Sequence, residues 1–456
     1  MSGSSGSSLA NGRPVPHLVT EIPGPRARAH VAFDETWTSP SLPRAYPIVP
    51  VRAEGLVVED ADGNLFLDFA AGIAVTSTGH CHPRVVQAIQ RQAEQLVHFS
   101  ASDFYLPIYA EVCRRLAQSA RITGGRARAY LGNSGTEVVE AAIKLARHAT
   151  GRPGIVAFLG AFHGRTYGSV SLSASKTKYH DGFGPLLPAV YHAPFGRRDD
   201  LRWFDEVLFD KLVSPTEVAA VIVEPIQGEG GYIVPEDGFL EGLRDLCDRD
   251  GILLIADEVQ SGAGRTGAMW AVDHWGVKPD ILLTAKGVAS GMPLGAMIAR
   301  ADLMERWAPG AHGSTFGGNP VSCAAASATL DLLEGGLIGN AKTRGEQALR
   351  HLRPLLEMHP GFVKDVRGKG LMIAVEFDTA DHADAVQWAA FQKGLLVLRC
   401  ARSAIRMSPP LIVSSDEILT GVGLFLDAVR EEAGTRRVAV SDEPAHRAFT
   451  GAEASG

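Results

Sequence analysis

Two ionisable side chains close nearly pure apolar runs in this chain: Asp257 in GILLIADEVQ and, 29 residues on, Lys286 in DILLTAKG. An acid at the end of a buried strand needs a partner, and in open α/β sheets ligands collect at the carboxyl ends of the strands. The two-residue period of a strand puts Asp257 and Val259 on one face and Glu258 on the other, so one acid and one branched apolar side chain point together into such a cleft. A lysine stripped of water beside other cations binds its proton less tightly, and its neutral amine can attack an aldehyde. Taken alone, Lys286 reads equally well as a surface lysine flanking a loop.

A third element is the turn Gly132, Asn133, Ser134, Gly135, Thr136. Ser134 followed three residues later by Glu137 is a capping-box pattern that starts a helix. Free amides and the positive end of the helix dipole at such a start suit a phosphate, and glycine at 135 lets the backbone come close. An ordinary capped helix that binds nothing carries the same pattern.

These groups need a scaffold, and the hydrophobic pattern supplies one. Short apolar runs (ARAYL at 127–131, GIVAFLG at 154–160, AAVIVEPI at 219–226, GILLIADEV at 251–259, DILLTAKG at 280–287) alternate with longer amphipathic stretches. Runs that are continuously apolar, without in-out alternation, predict strands covered on both faces, as in a parallel α/β sheet. EVVEAAIKLARHATG repeats apolar residues at Val138, Ala142, Leu145 and Ala146 and stops at Gly151, a helical period with a glycine end. From Leu333 the pattern changes to a long helix, the stretch GFVKDVRGKGLMIAVEF and a second helix near DHADAVQWAAFQKG, so a boundary is expected near 330. The expected organisation is a tail over 1–30, the start of a small domain over 31–75, a large domain over 76–330, the rest of the small domain over 331–434 and a second tail over 435–456. Both tails are small, polar or Pro-rich without periodicity and read as mobile.

With 456 residues the chain can bury more than one core, and a formal charge of −7 argues against a nucleic-acid surface. Five scattered cysteines without a CxxC pair read as free thiols. The Ser/Gly-rich start lacks the apolar core of a secretory signal, and the two features together point to the cytoplasm. No window approaches the roughly 18 to 20 apolar residues of a spanning helix, so no membrane is expected.

Two other motifs are weighed and set aside. GAGRTG at 262–267 satisfies GxGxxG after a strand, but AMWAVDHWGVKPD behind it is too irregular to be the helix of a dinucleotide site. His80 and His82 in GHCHP lack a carboxylate cluster and read as a structural turn, so no metal is expected.

Together GNSGTEVVEAAIKLAR, FHGRT, EPIQGEGG, LLIADEVQSGAGRTG, TAKG and GSTFGGNP closely resemble the class III, or ω-amino acid, aminotransferases, from about Gly24 to Glu431. The resemblance implies pyridoxal 5′-phosphate (PLP) fold type I: a large domain with a mostly parallel sheet covered by helices, and a smaller α/β domain built from both chain ends. It makes Lys286 the lysine that bonds PLP and moves the proton, and Asp257 the partner of the pyridine nitrogen. It implies further that Val259 and Phe162 pack on the ring, with His163 beside Phe162, and that Gln260 meets the 3′ oxygen. Ser134, Gly135 and Thr136 match the phosphate turn, Glu224 supports the site, and Thr315 matches a threonine that reaches the neighbouring subunit's phosphate, which implies a homodimer.

Ile73, Arg165, Glu229 and Arg406 fall where 4-aminobutyrate aminotransferases carry their substrate-binding set. By that resemblance Arg165 takes the distal carboxylate, Arg406 takes the α-carboxylate through a bidentate fork, and Glu229 pairs with Arg406 when that carboxylate is absent. The implied activity is transfer of an amino group from an ω-amino acid such as 4-aminobutyrate to 2-oxoglutarate in two half-reactions. The start of the chain and EPIQGEGGYIVP also resemble racemases and 2-epimerases of the same family, which use the same lysine and acid. A non-catalytic paralogue would have lost the lysine, the acid or the phosphate turn, and all three are present.

Overall fold

The structure is a computed structural model that describes residues 7–438. All five apolar runs form strands, at Ala127–Gly132, Gly154–Phe158, Val218–Val223, Leu253–Asp257 and Ile281–Thr284. With Val190–Ala193 and Gly295–Arg300 they make a seven-stranded sheet whose order starts at Ala127–Gly132. Gly295–Arg300, Ile281–Thr284, Leu253–Asp257, Val218–Val223, Gly154–Phe158 and Val190–Ala193 follow in turn. Only Gly295–Arg300 runs antiparallel to its neighbours.

The two sheet faces enter different cores, which explains the missing alternation. Ile155, Ala157, Leu253 and Ile255 pack under the helix Gly135–Thr150, whereas Val156, Phe158, Leu254 and Ala256 join the core on the other side. With apolar partners on both faces, every position of a central strand is buried.

The helix Gly135–Thr150 begins and ends as its sequence predicts, with one difference. The Ser134 hydroxyl accepts from the Glu137 amide at 3.4 Å, and Gly151 closes the helix in the left-handed region at φ 72°. The Glu137 carboxylate, however, takes the backbone and side-chain N–H groups of Asn133 and not the amide of Ser134. Only half of the box therefore forms, and the other half fixes the turn one residue earlier.

Two smaller four-stranded sheets flank this unit. Pro50–Glu54, Val57–Asp60 and Leu65–Asp68 pair with Leu395–Leu396 in one, and Val363–Lys369, Met372–Phe377, Ala404–Met407 and Leu398–Cys400 form the other. The parallel pairing of Leu395 with Leu67 joins the two ends of the chain in a single sheet.

The expected mobile start does not hold from residue 7 on. Ser8 donates to Glu54 at 2.6 Å, and His17 and Leu65 exchange backbone bonds of 2.9 and 2.8 Å. The Asp62 carboxylate caps the amides of Arg26 and Ala27 at 2.9 and 2.8 Å, starting the helix Pro25–Trp37. Every one of these partners lies more than thirty residues away in sequence, which local composition cannot show. Of the other expected tail, the helix Ser415–Val438 covers the first residues and 439–456 lie outside the described residues, as do 1–6.

Residue 330 lies inside a helical stretch, Pro320–Met358, that is long and apolar enough by composition to cross a membrane, contrary to the sequence expectation. Half of its most apolar window is buried within the fold, which suits a core helix equally well.

Asp280 ties the strand that leads to Lys286 to the strand that leads to Asp257. Its carboxylate, 2% exposed, accepts from the Leu254 amide at 2.9 Å, from Arg244 at 2.8 Å and from Arg300 at 3.0 Å. Asp280→Ala takes the carboxylate from the Leu254 amide and leaves Arg244 and Arg300 with only their exposed partners Asp248 and Asp302, and should lower unfolding stability by about 2 kcal/mol, read as a shift in the denaturant midpoint. An unshifted midpoint would contradict this role.

Candidate active site

The carboxyl ends of four adjacent parallel strands open onto one cavity of about 400 Å³. It is lined by Phe162, Glu224, Asp257 and Lys286, each just past or at the end of a different strand, and by the turn Asn133–Thr136. The volume lies in the range of small-molecule sites.

Asp257 is 3% exposed, and both carboxylate oxygens are engaged on the protein side. One accepts from the Val259 amide at 3.0 Å, and the other meets His163 Nδ1 at 2.7 Å. Burial pulls the His163 pKa down, but the hydrogen bond and charge of Asp257, with the charge of Glu224, outweigh it and hold the imidazole above its ordinary value. Its Nε2 is buried without a partner. Glu224 accepts from the amides of Phe162 and Gly228, both at 3.0 Å, and so ties the FHG turn to the EPIQGEGG loop. Burial pushes its carboxyl up to about 7. Glu258 turns to the other face, as the strand period requires, where it accepts from Ser261 and the amides of Ala271 and Val272.

Lys286 is half-buried at the cavity wall and sits in the left-handed region at φ 44°. Burial, reinforced by the charge of Arg406, pushes its amine down to about 8 against the pull of Asp257, Glu224 and Glu229. At the cavity's other end, Gly135 and Thr136 are the first residues of their helix, so their amides lack intrahelical partners. A Cβ on Gly135 would stand 2.9 Å from Val259 Cγ1, and one on Gly164 would overlap the Thr136 hydroxyl, so glycine alone keeps this approach open. Gln260 lines the same cavity and accepts from Tyr232 at 3.0 Å.

Outside this core lies a cluster of charges. Arg406, buried and with Nε unpartnered, donates to Glu229 at 3.0 Å. Lys176 donates to the other Glu229 oxygen at 2.7 Å, and Tyr179 reaches it at 3.3 Å. Burial raises the Glu229 pKa, but Arg406 and Lys176 outweigh that and hold it below the usual range. The Arg165 guanidinium lies 4.2 Å from the Tyr179 ring centroid and 5.7 Å from that of Phe162.

Lys176 and Tyr179 escaped the sequence reading. They sit in the polar loop SASKTKYH, where neither periodicity nor a strand end marks them. Ile73, 46% exposed, and Thr315, also exposed, do not line the cavity of their own chain. The residue next to Thr315 does approach it, since Asn133 donates to Ser314 at 3.2 Å. His80 pairs with Asp68 and His82 caps the helix Pro83–Gln95, so each histidine of GHCHP has a partner within the fold.

This donor set fits PLP. A buried amine of lowered basicity suits an aldehyde, an anchored carboxylate suits a protonated pyridine nitrogen, and glycine-cleared helix amides suit a phosphate.

The comparisons with known proteins agree. A profile of the family described as aminotransferase class-III matches residues 40–429. The acetylornithine aminotransferase of Methanopyrus kandleri is 43% identical over 386 residues, covering 84% of this chain and 95% of the relative. The 4-aminobutyrate aminotransferase of Mycobacterium tuberculosis is 41% identical over 434 residues, covering 88% and 95%. Among solved structures, the ornithine aminotransferase of Toxoplasma gondii superposes with a TM-score of 0.83 at 34% identity over 90% of this chain and 96% of that one.

A lysine amine held near 8 is protonated below that pH and free above it, so capture of an aldehyde should rise with pH through 8 and then level off. Borohydride trapping of added PLP, with the modified residue located by mass spectrometry, should label Lys286, and the rate should climb roughly tenfold per pH unit on the acid side. Lys286→Ala should leave no label. A flat pH profile, or a label on another lysine, would contradict the assignment.

Proposed function

The chain belongs to the class-III aminotransferases, which are PLP-dependent enzymes, and from that premise we propose that it moves the amino group of a 4-aminobutyrate-like ω-amino acid to 2-oxoglutarate. The Glu229–Arg406 pair carries this reading. An ω-amino acid offers one carboxylate, which Arg165 takes while Glu229 keeps Arg406 neutralised. 2-Oxoglutarate offers a second carboxylate, and the buried Arg406 is available to it once Glu229 moves aside. A donor of the acetylornithine kind also reacts through a terminal amine and carries one distal carboxylate, so the pair serves it as well, and the titration with single donors separates the two.

Bound in the cavity, PLP supplies an aldehyde to bond amines and a ring that takes up the electrons released when a C–H bond next to nitrogen breaks. The protein's own groups do the rest. Asp257, fixed by His163 and Val259, would hold a proton at the pyridine nitrogen. The amides of Gly135 and Thr136 would hold the phosphate, and Phe162 and Val259 wall the cavity. Lys286 Nζ would move the proton between the substrate carbon and the cofactor's aldehyde carbon, in opposite directions in the two half-reactions. Arg165 and Arg406 fix the carboxylates, so the reacting C–H faces Nζ.

The same reading makes the enzyme a homodimer in which Thr315 reaches the phosphate site of a second copy. Its support is that Thr315 is exposed beside Phe316, which is 61% exposed and packs on His98, next to a surface that also bears exposed Phe99, Phe104 and Tyr105.

The test is a spectral titration of the purified enzyme with single donors and no keto acid, followed by chiral analysis. 4-Aminobutyrate should convert the cofactor to its amine form and 2-oxoglutarate should restore it. Conversion by N-acetylornithine alone, or an L-amino acid becoming a D,L mixture without keto acid, would overturn the proposal. Arg406→Ala should cost the 2-oxoglutarate half-reaction roughly ten- to a hundredfold in kcat/KM, the range for a lost charged hydrogen bond, and the 4-aminobutyrate half-reaction much less. Equal losses would refute the exchange between Glu229 and substrate.

A further inference from the structure

Ahead of Val75 at the cavity wall, four consecutive residues lie in the left-handed region. Ala71, Gly72, Ile73 and Ala74 have φ of 49°, 61°, 65° and 59°. The amides of Ala74 and Val75 donate to the carbonyls of Ala70 and Ala71 at 2.9 and 2.7 Å, so the segment is one turn of left-handed helix. In three of the four, a Cβ crowds the following carbonyl oxygen in this hand. Such a backbone persists only where its surroundings over-determine it.

At the entry to the turn, the surroundings are one carboxylate. Asp68, 4% exposed, accepts from the amides of Ala70 and Ala71 at 2.7 and 2.9 Å through one oxygen, and meets His80 Nε2 at 2.7 Å with the other. His80 is itself pinned by two backbone bonds with Gly55, of 2.8 and 2.9 Å. At the exit, the Thr78 amide donates to the Ser290 hydroxyl at 2.8 Å, and a Cβ on Gly287 would overlap the Ser77 hydroxyl. The segment therefore leans on the loop that carries Lys286, where Lys286 and Ser290 also sit at positive φ, 44° and 48°.

We propose that the Asp68–His80 pair is a positioning element of the active site: it clamps the left-handed turn Ala71–Ala74, and through Val75–Thr78 it holds the Lys286 loop in place. His80 acts through Asp68 and the turn, and touches neither cofactor nor substrate. The proposal rests on the reading of Lys286 as the residue that moves the proton.

The test compares four holoenzymes: wild type, His80→Leu, His80→Gln and His80→Leu/Ala74→Gly. Hydrogen exchange of the 70–80 peptide, followed by mass spectrometry, reads the turn without reference to any substrate. Steady-state kinetics with whichever donor the wild type uses reads the lysine. His80→Leu should speed exchange at Ala74 and Val75 at least tenfold and lower kcat about tenfold, with KM within twofold and bound PLP unchanged. His80→Gln, whose amide can replace Nε2, should stay within twofold of wild type in both readouts. The Ala74→Gly change should recover at least half of the lost kcat, because glycine holds this hand without a clamp. Unchanged exchange in His80→Leu overturns the clamp. Equal losses in His80→Leu and His80→Gln, with lowered melting temperatures and no recovery by glycine, also overturn it, since general destabilisation would then be the cause. A wild type inactive on every amino donor would instead sink the functional reading, and the exchange comparison would still decide the clamp.

Discussion

A carboxylate buried at the end of a strand must have partners for its charge, because an unpaired buried ion is too costly to keep. Asp257 meets this constraint with two contacts from opposite directions, the Val259 amide next to it in the chain and the His163 imidazole from another strand end. The neighbouring groups follow suit. His163 holds its proton more tightly than usual, Glu224 shifts up to about 7, and Lys286 shifts down to about 8. The inner site thus avoids stacking bare charges, and leaves an amine, a carboxylate and a helix start facing the same space.

The inner and outer halves of the cavity are built differently. The inner half stands on strand ends whose every residue is buried, so its groups have little freedom. In the outer half Arg165 is exposed, and Glu229 divides its oxygens between Arg406 and Lys176. Apart from Arg406, Glu229 also has Lys176 and Tyr179 as partners. This arrangement is consistent with one rigid chemistry served by an adaptable recognition set.

The inner half was also the more legible in the sequence. Short apolar runs without in-out alternation read as strands covered on both faces, which holds for the four inner ones and not for the half-exposed Ala127–Gly132, and the acid, the lysine and the glycine turn at their ends stand out against that background. The folded start of the chain was not legible, because Ser8, His17 and Arg26 find their partners at Glu54, Leu65 and Asp62, across gaps that no local pattern spans. Lys176 and Tyr179 were missed for the same reason. The left-handed turn was hidden as well: AGIA contains a single glycine, and only the positive φ of all four residues shows which way it winds. Whether Thr315 serves a second copy depends on a contact between chains, which no single sequence displays.

The central claim is that the charge of Asp257, anchored by His163, makes the electron-accepting chemistry of this site work. The most direct measurement is the kcat of Asp257→Asn beside its PLP content, since asparagine keeps the shape and loses the charge. PLP should remain bound at one per chain while kcat falls roughly a hundredfold or more, the scale of losing a preorganised charge interaction. An unchanged kcat with PLP fully bound would contradict it.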